Sequence, residues 1–359
     1  MWGKQMRRIA INSIKGTEIL AKDLFSEDGK FILPAGSPLK PDQIPYLEGF
    51  GVTHLLIEHD EIVFEIGIEE KIQNECGEKV TEVLESYSHC GNGELSEIVT
   101  IAKEIMANVL SQKDVMYNVC FIREKSNSTY SHSINVCALS ILIGIKLKLS
   151  QQRLINMAIG ALLHDIGYAY LKKEYNYKLY DTCEERDRRE LRKHVINGYS
   201  AVENETWIPE IAKEIILFHH EYCDGTGYPF HYNKEKLKRE VRIVTICDEF
   251  DSRVYGHHKK SMKVHEVIEY IMSQANKKFD FQMVRIFVTS VAAYPIGTFV
   301  CTDKGEIGQV VKQNAGVPLR PVLSMKYDCD GHAYADQIIV DLTEELSVAI
   351  IDTVDNLPQ

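Results

Sequence analysis

The feature that most constrains this chain is a series of apolar runs with the helical period, each carrying a histidine or an aspartate at or near its end. Residues three and four apart share one helix face, so a polar residue on the apolar stripe faces the same interior. Uncompensated polar groups on buried faces are costly, so the pattern predicts packed helices whose polar side chains serve a common purpose. The residues concerned are His132, His164, Asp165, His194, His219, His220 and Asp248.

One run shows the period clearly. Met157 and Ala161 place His164 on their apolar stripe. Asp165 turns about 100° away from that stripe, as a repeat of ~3.6 residues requires. Taken alone, each such position is more often a satisfied and partly buried histidine. That interpretation does not explain the whole set, because so many buried polar groups would need partners.

The imidazoles and carboxylates form a metal-ligand set. They are harder ligands than thiolate and suit iron, manganese or zinc in hydrolysis. The set is larger than one ion needs and about what two ions sharing a bridging carboxylate would need. Paired ions generate hydroxide and clamp the oxygens of a phosphoryl group during in-line displacement. The pattern therefore favours a phosphodiesterase.

Two segments carry a family resemblance. The sequence ALLHDIG, residues 161–167, resembles the HD motif of HD-domain phosphohydrolases. The sequence HHEYCDGTGYP, residues 219–229, resembles the HHExxDGxGYP signature of the HD-GYP subfamily. The resemblance extends from about Asn118 to about Pro295. It implies an HD-type helical bundle and hydrolysis of the bacterial second messenger cyclic di-GMP to pGpG, to GMP or to both.

The resemblance also implies roles for the ligand set. It assigns one metal ion to His132, His164, Asp165 and Asp248. It assigns a second ion to His194, His219 and His220, with Asp165 as the bridge. A hydroxide between the ions would attack phosphorus, so Asp165 and His164 are expected to be catalytic. Iron or manganese is expected first, and zinc, magnesium, nickel or cobalt are alternatives. Ser128 stands where some members have a third-metal glutamate, so two ions are expected.

Substrate contacts are expected from the glycine-rich loop and from positions where this chain departs from the family. Glycine lets backbone approach a ligand closely, and the loop residues concerned are Asp224, Gly225, Gly227, Tyr228 and Pro229. Tyr168 stands where the family usually has a phosphate-contacting lysine, and His257 where it commonly has an arginine. Because contacts with phosphate are charge-assisted, Lys259 and Lys260 are both expected to compensate for the missing arginine, and Lys260 is the first candidate.

Composition excludes several classes of protein. The 359 residues carry a formal charge of −11, which argues against a general nucleic-acid or anionic-membrane surface. No apolar run approaches the ~18 residues of a membrane span. The nine cysteines include no CxxC pair, which indicates reduced thiols and therefore a cytoplasmic protein.

The distribution of helix-like and strand-like patterns along the chain predicts a mainly α protein with four parts. These are a small α/β regulatory module over 1–68, connecting helices over 69–117, the HD-GYP catalytic helical bundle over 118–294 and a small β-rich appendage over 295–359. Strands are expected in the first part at 8–11, 31–33, 53–58 and 62–66, and in the last at 298–302, 308–312, 321–327 and 335–341. Helices are expected over 69–88 and 95–111.

Three functional hypotheses remain open. The first is a two-metal phosphodiesterase for cyclic di-GMP. The second, which Tyr168 and His257 favour, is a catalytically weak HD-GYP protein that binds cyclic di-GMP or a diguanylate cyclase (a GGDEF protein) through its GYP loop. The third is a phosphodiesterase for another cyclic dinucleotide. A homodimer through the connecting helices is a further expectation.

Overall fold

The computed structural model describes residues 5–11, 14–21, 23–26, 30–52, 54–59, 79–80, 82–83, 97–111, 129–172, 179–314 and 316–357. These residues divide into two units. The first takes its described residues from 1–67 and 291–359, and the second from 68–113 and 129–290. The first unit is rich in strands and the second is helical, so the prediction of a mainly α fold with small β-containing additions is confirmed.

The amino-terminal part of the first unit contains two antiparallel strand pairs. Strand β1 (Gln5–Ala10) pairs with β4 (His54–His59), and β2 (Leu24–Phe25) pairs with β3 (Phe31–Leu33). One short helix, α1 (Ile44–Glu48), lies between β3 and β4 in the chain. Burial of apolar side chains stabilises this part, and its core consists of Ile11, Ile14, Leu20, Leu39, Leu47, Val52, Leu55 and Ile57.

The carboxyl-terminal part of the first unit is an antiparallel sheet. Its strands are β5 (Phe299–Thr302), β6 (Ile307–Lys312), β7 (Val322–Tyr327), β8 (Ala333–Asp341) and β9 (Ile350–Thr353). Their spatial order is β8-β7-β6-β5-β9. Strands β5 to β8 therefore pair with their neighbours in the chain, and β9 returns to the other side of β5. Each predicted strand boundary in this part lies within two residues of the observed one.

The second unit consists of helices. They are α2 (Glu97–Ser111), α3 (Thr129–Lys146), α4 (Gln151–Leu163), α5 (Glu185–Leu191), α6 (His194–Val202), α7 (Glu210–Phe218), α8 (Arg239–Tyr255), α9 (Val264–Ser273) and α10 (Phe281–Val288). A 3-10 turn over Ile166–Tyr170 follows α4. Helix α8 ends where Gly256 adopts a left-handed conformation with a φ of 76°, which glycine tolerates better than any other residue.

Helix α4 forms the centre of this unit. It packs against α2, α3 and α7, and every residue from Met157 to Leu163 is buried. A helix that is apolar on all sides belongs in a core. Gly160 allows α7 to come close, since a Cβ there would lie 2.8 Å from Cδ1 of Ile215. The carboxyl end of α4 is therefore held in the interior, where the HD motif begins.

Some sequence predictions concern residues outside those described. The strand expected over 62–66 is one, and so is the helix expected over 69–88 except for 79–80 and 82–83. Ser128 also lies outside the described residues. The limits of the four predicted parts of the chain stay predictions. Among the helices that the structure describes, none is long and apolar enough to cross a membrane.

Candidate metal centre

The residues of the predicted ligand set lie together inside the second unit, although they come from separate helices. Helix α3 carries His132, the end of α4 leads to His164 and Asp165, α6 begins with His194, α7 is followed by His219 and His220, and α8 carries Asp248. Four of the imidazoles have 0% exposed surface, and they are His132, His164, His194 and His219. Helix packing therefore brings residues that are far apart in the sequence close together in space.

Asp165 lies at the centre of the cluster, and its two oxygens face different imidazoles. Its Oδ1 is 3.5 Å from Nε2 of His194 and 3.5 Å from Nε2 of His219. Its Oδ2 is 3.4 Å from Nε2 of His164 and 3.7 Å from Nε2 of His132. One carboxylate therefore borders two groups of nitrogen donors, one on each side.

Asp248 reaches both sides as well. Its Oδ1 is 3.2 Å from Nε2 of His132, and its Oδ2 is 3.6 Å from Nδ1 of His220. The hydroxyl of Ser252, one turn further along α8, donates a hydrogen bond to Oδ1 of Asp248 at 3.0 Å. This contact helps to fix the orientation of the carboxylate.

The donor spacing fits divalent metal ions. Around an ion with ligands at ~2.1 Å, donors at right angles lie ~3.0 Å apart and opposite donors ~4.2 Å apart. One group whose donor atoms all lie within 4.8 Å of one another consists of Asp165, His194, His219 and His220. Another group within the same 4.8 Å consists of His132, His164 and Asp248. Imidazole and carboxylate donors suit iron, manganese and zinc, so chemistry and spacing agree.

Backbone carbonyls orient most of these rings. The Nδ1–H of His164 donates to the carbonyl of Ala161 at 2.7 Å, and that of His194 donates to the carbonyl of Leu191 at 2.7 Å. Nδ1 of His219 lies 3.1 Å from the carbonyls of both Ile215 and Ile216. These bonds leave Nε2 of each ring with its lone pair directed at Asp165, as a metal ligand requires.

His132 has a carboxylate behind it instead. Its Nδ1–H donates to Oδ2 of Asp251 at 2.6 Å, and Oδ1 of Asp251 accepts from Nδ2 of Asn135 at 2.9 Å. Asp251 is not among the residues predicted from the sequence. The available signal was its place three residues after Asp248, because residues i and i+3 share a helix face.

Burial and charge move the pKa values of these groups in different directions. Burial lowers the pKa of His194 to about 3 and also lowers the pKa values of His164 and His220. Burial opposes protonation of His132 too, but bonds to two buried carboxylates raise its pKa to about 10. Burial disfavours the ionised form of Asp165, yet the surrounding imidazoles hold the pKa of this carboxyl well below its usual range.

Gly167 sets the distance between the HD motif and α6. A Cβ at Gly167 would lie 1.8 Å from the carbonyl oxygen of His194 and 2.7 Å from the backbone nitrogen of Gly198. No side chain fits there, because non-bonded carbon and oxygen atoms do not approach so closely. The direct backbone contact therefore places Asp165 beside His194.

A cavity of about 460 Å³ opens next to the cluster. This volume is within the ~300–1,000 Å³ typical of small-molecule sites. Asp165, His220 and Asp248 form part of its wall. Its aromatic and basic wall residues are Tyr168, Tyr180, Tyr222, Tyr228, Arg192, Arg253, Lys259 and Lys278. The cavity thus combines ring faces and positive charge with the candidate metal ligands.

The predicted substrate contacts divide into two sets. Those that line the cavity are Tyr168, Gly227, Tyr228 and His257. Those absent from the described lining are Asp224, Gly225, Pro229 and Lys260. Oδ1 of Asp224 instead accepts hydrogen bonds from the backbone and hydroxyl of Thr226 at 3.0 and 2.7 Å, which shapes the loop. The expectation for Lys260 needs correction, because its side chain is exposed and the buried Lys259 lines the cavity in its place.

Two of the basic residues in the cavity wall are already paired. Nζ of Lys259 lies 2.6 Å from Oε2 of Glu249, and Nε of Arg253 lies 2.7 Å from Oε1 of the same carboxylate. Arg192 is held more loosely, since its Nε donates to the hydroxyl of Tyr180 at 2.7 Å and its Nη1 lies 4.0 Å from Oε1 of Glu185. The charge of Arg192 is therefore better placed for an anionic ligand.

Tyr168 does not offer a free ring face. Its ring stacks on His194 with centroids 4.2 Å apart and planes at 11°. On another side it stacks on His258 with centroids 4.4 Å apart and planes at 7°. With both rings parallel to it, Tyr168 supports the metal-ligand cluster and presents its edge to the cavity.

Comparisons with known proteins agree with this geometry. Residues 114–283 match the HD domain family, and residues 299–356 match a KOW domain associated with the HD domain. A cyclic di-GMP phosphodiesterase of Pseudomonas aeruginosa is 29% identical over 243 residues, which are 67% of this chain and 58% of that protein. The cyclic di-GMP phosphodiesterase PdeB of Borreliella burgdorferi is 23% identical over 221 residues, 61% of this chain and 56% of that protein. The chain thus spans less than two thirds of these relatives.

A solved structure shares the fold. Bd1817, an HDG"Y"P protein from Bdellovibrio bacteriovorus, superimposes with a TM-score of 0.53 at 18% sequence identity. The match covers 79% of this chain and 98% of that one. The HD motif at 164–165 and the HHExxDGxGYP signature at 219–229 both lie within residues 114–283, so this region is an HD domain that carries the HD-GYP motifs.

Proposed function

We propose that this chain is a metal-dependent phosphodiesterase that hydrolyses cyclic di-GMP to pGpG, to GMP or to both. The observation that carries the proposal is the position of Asp165, whose two oxygens face two groups of imidazole donors. Two ions clamped in this way are used for in-line displacement at phosphorus. The two relatives described above, both cyclic di-GMP phosphodiesterases, support the choice of substrate.

The residues present would hold two divalent ions, with iron or manganese preferred by this donor set and zinc, magnesium, nickel or cobalt as alternatives. Such ions, when bound, supply a water of lowered pKa and neutralise charge on phosphoryl oxygens. The protein's part is to present ionised carboxylates and neutral imidazoles. Asp165 and Asp248 meet this need, because neighbouring imidazoles hold the pKa values of both well below their usual range despite burial. His164 meets it because burial lowers its pKa.

The cavity supports an anionic ligand that contains aromatic rings. The Arg192 guanidinium lies 5.3 Å from the ring centroid of Tyr228 and is available to a phosphate group. Tyr180 and Tyr228 face each other with planes at 18° and centroids 6.3 Å apart. Tyrosine faces bind nucleobases by stacking. A cyclic dinucleotide provides both phosphate and base for these contacts.

A second candidate function is supported by the altered phosphate contacts. Lys259 and Arg253 share one carboxylate, and Tyr168 replaces the lysine implied by the family resemblance. Fewer free cations would weaken charge-assisted contacts with phosphate. This favours either slow hydrolysis, with cyclic di-GMP bound as a signal, or a different cyclic dinucleotide as substrate.

The test is metal analysis coupled to a turnover assay. The full chain would be loaded with iron(II) or manganese(II) under reducing conditions, and the products from cyclic di-GMP would be separated by chromatography. We expect about two equivalents of metal and formation of pGpG or GMP. Asp165→Ala should remove both ions and the activity, while Asp42→Asn, at an exposed carboxylate of the first unit, should change neither.

The outcomes separate the candidates. Two equivalents of metal with bound but intact cyclic di-GMP would favour the signalling role. If only another cyclic dinucleotide were hydrolysed, that compound would be the substrate instead of cyclic di-GMP. A protein that takes up no metal would contradict every hydrolytic candidate. Binding to a GGDEF protein through the GYP loop, formation of a homodimer and a cytoplasmic location stay predictions from the sequence.

A further inference from the structure

We infer that His257 is an additional protein ligand of the metal ion that His132, His164 and Asp248 would hold. The inference rests on the proposed metal site, which it extends by one residue. The family resemblance places an arginine at this position and assigns it to substrate. The geometry gives the histidine of this chain a different role.

The ring nitrogen of His257 is placed as a ligand would be. Its Nε2 lies 3.3 Å from Oδ2 of Asp165, close to the ~3.0 Å expected for two donors at right angles around one ion. This nitrogen is buried, and within the part of the chain that the structure describes its contact with Asp165 does not reach hydrogen-bond geometry and no other polar atom replaces it. A buried polar atom without a partner is costly, and binding of an ion there would remove that cost. The donor atoms of His132, Asp165 and His257 all lie within 4.8 Å of one another.

The ion would be the one shared with His132 and not a third ion. Nδ1 of His132 is bonded to Asp251, so this ring has one nitrogen left for a metal. That nitrogen, Nε2, is 3.2 Å from Nε2 of His164 and 3.2 Å from Oδ1 of Asp248. An ion that contacts both His132 and His257 must therefore also be the ion of His164 and Asp248.

The end of α8 holds His257 in place. Gly256 takes its left-handed conformation directly before it, and the backbone N–H of His257 donates to the carbonyl of Ser252 at 3.0 Å. The hydroxyl of Ser252 also donates to Asp248, so one residue links the helix end to a candidate ligand. The rings of His257 and His132 stack with centroids 4.3 Å apart and planes at 22°. The two imidazoles therefore point towards the same region.

The additional ligand makes the two halves of the site unequal. A guanidinium is always protonated and cannot bind a metal ion, whereas a neutral imidazole can. With His257 the His132 side has three imidazoles and two carboxylates, while the His194 side has three imidazoles and Asp165. A site with more protein ligands keeps fewer positions open. We therefore expect the ion on the His132 side to bind more tightly and to have less room for water or substrate.

The experiment measures metal affinity in the full chain. Manganese(II) or zinc(II) would be titrated against a competing chelator for the wild type, His257→Ala and His257→Arg. Loss of an outer contact to a ligand costs about 10–100-fold in affinity, so loss of a direct ligand should weaken one of two ions by at least about tenfold. Absorption spectra of cobalt(II)-loaded protein should change shape for both variants, because a nitrogen donor is lost.

Controls keep the result interpretable. Tyr46→Ala removes an exposed aromatic ring of the first unit and should leave both affinities and the cobalt spectrum unchanged. His257→Asp keeps a possible donor and should recover part of the affinity if His257→Ala alone is poorly folded. Wild-type affinity and spectrum in His257→Ala would overturn the inference. Failure of the wild type itself to bind two ions would instead contradict the proposed function.

Discussion

The two halves of the candidate metal centre differ at one imidazole, since His132 has a carboxylate behind it whereas His164 and His194 have backbone carbonyls. On one side, a backbone carbonyl accepts from Nδ1 of His194, and burial lowers its pKa to about 3. On the other side, burial is outweighed by bonds to Asp248 and Asp251, which raise the pKa of His132 to about 10. A carbonyl only orients a ring, while a carboxylate also makes it more basic. His194 is therefore ready to bind an ion, whereas His132 must first lose a proton.

The largest effect is expected when one imidazole is removed from either half of the metal centre. His132→Ala should lower metal content from about two equivalents to about one, and His194→Ala should do the same for the other ion. Turnover should fall by at least about 10²-fold in both, since both ions act on one phosphoryl group. Elemental analysis of the purified variants checks this.

One result for His132→Ala would contradict this prediction. Loss of both ions in His132→Ala would mean that the halves do not bind independently, and the comparison would fail. Asp42→Asn, at an exposed carboxylate of the first unit, is the control and should keep two equivalents.

The next effect is the pH dependence of metal binding. Below a pKa of about 10, His132 in the metal-free protein carries a proton that the ion must displace. The apparent affinity of that half should therefore fall about tenfold for each unit of decreasing pH between about 9 and 7. His194 should add no such dependence to the other half over this range, because its pKa of about 3 leaves it neutral. Calorimetry in buffers of different ionisation enthalpy measures the proton released, and equal pH slopes for both ions would refute the prediction.

A smaller effect is expected at Asp251. Asp251→Asn removes one of two carboxylates that raise the pKa of His132, so fewer protons should be released on metal binding at pH ~8. At high pH, where no proton competes, affinity on this side should fall by about 10–100-fold. Asp42→Asn should match the wild type. An unchanged proton count in Asp251→Asn would mean that Asp251 does not set the basicity of His132.

The smallest effect concerns the stacking partner of the His194 half. An aromatic pair contributes about 0.5–1.5 kcal/mol, so Tyr168→Leu should weaken the ion on this side by about 2–12-fold. Tyr168→Phe keeps the ring that stacks on His194 and should bind metal like the wild type. Chelator competition measures both variants. If the metal affinity of Tyr168→Phe fell as far as that of Tyr168→Leu, the hydroxyl of Tyr168 would be the important group and not its ring face.

The parts of the site that were predictable are those encoded within single helices or short motifs. The stripe through Met157 and Ala161 leads directly to His164, and α4 is buried as that stripe requires. The fold class and the strands after residue 295 followed from local pattern for the same reason. Helical period and turn residues act over a few positions, so one sequence contains that information.

The remaining parts depend on how the chain turns between helices. Lys259 and Lys260 both follow α8 closely, and only the conformation after Gly256 determines which of the two is buried. The assignment of His257 to substrate came from alignment with an arginine, and its distance to Asp165 could not be read from spacing. Residues from both ends of the chain contribute to one unit, and local sequence pattern does not contain such long-range contacts. Non-local packing decides such cases.

The contact at Gly167 has a consequence for protein engineering. Transplanting the HD motif into another helical scaffold would carry over the two metal-binding residues but not the backbone of α6 against which Gly167 rests. A single added methyl group there would push apart the segments bearing Asp165 and His194, although it would touch no ligand atom. A design that copies only the ligand residues would therefore leave out Gly167, whose lack of a side chain sets the distance between Asp165 and His194.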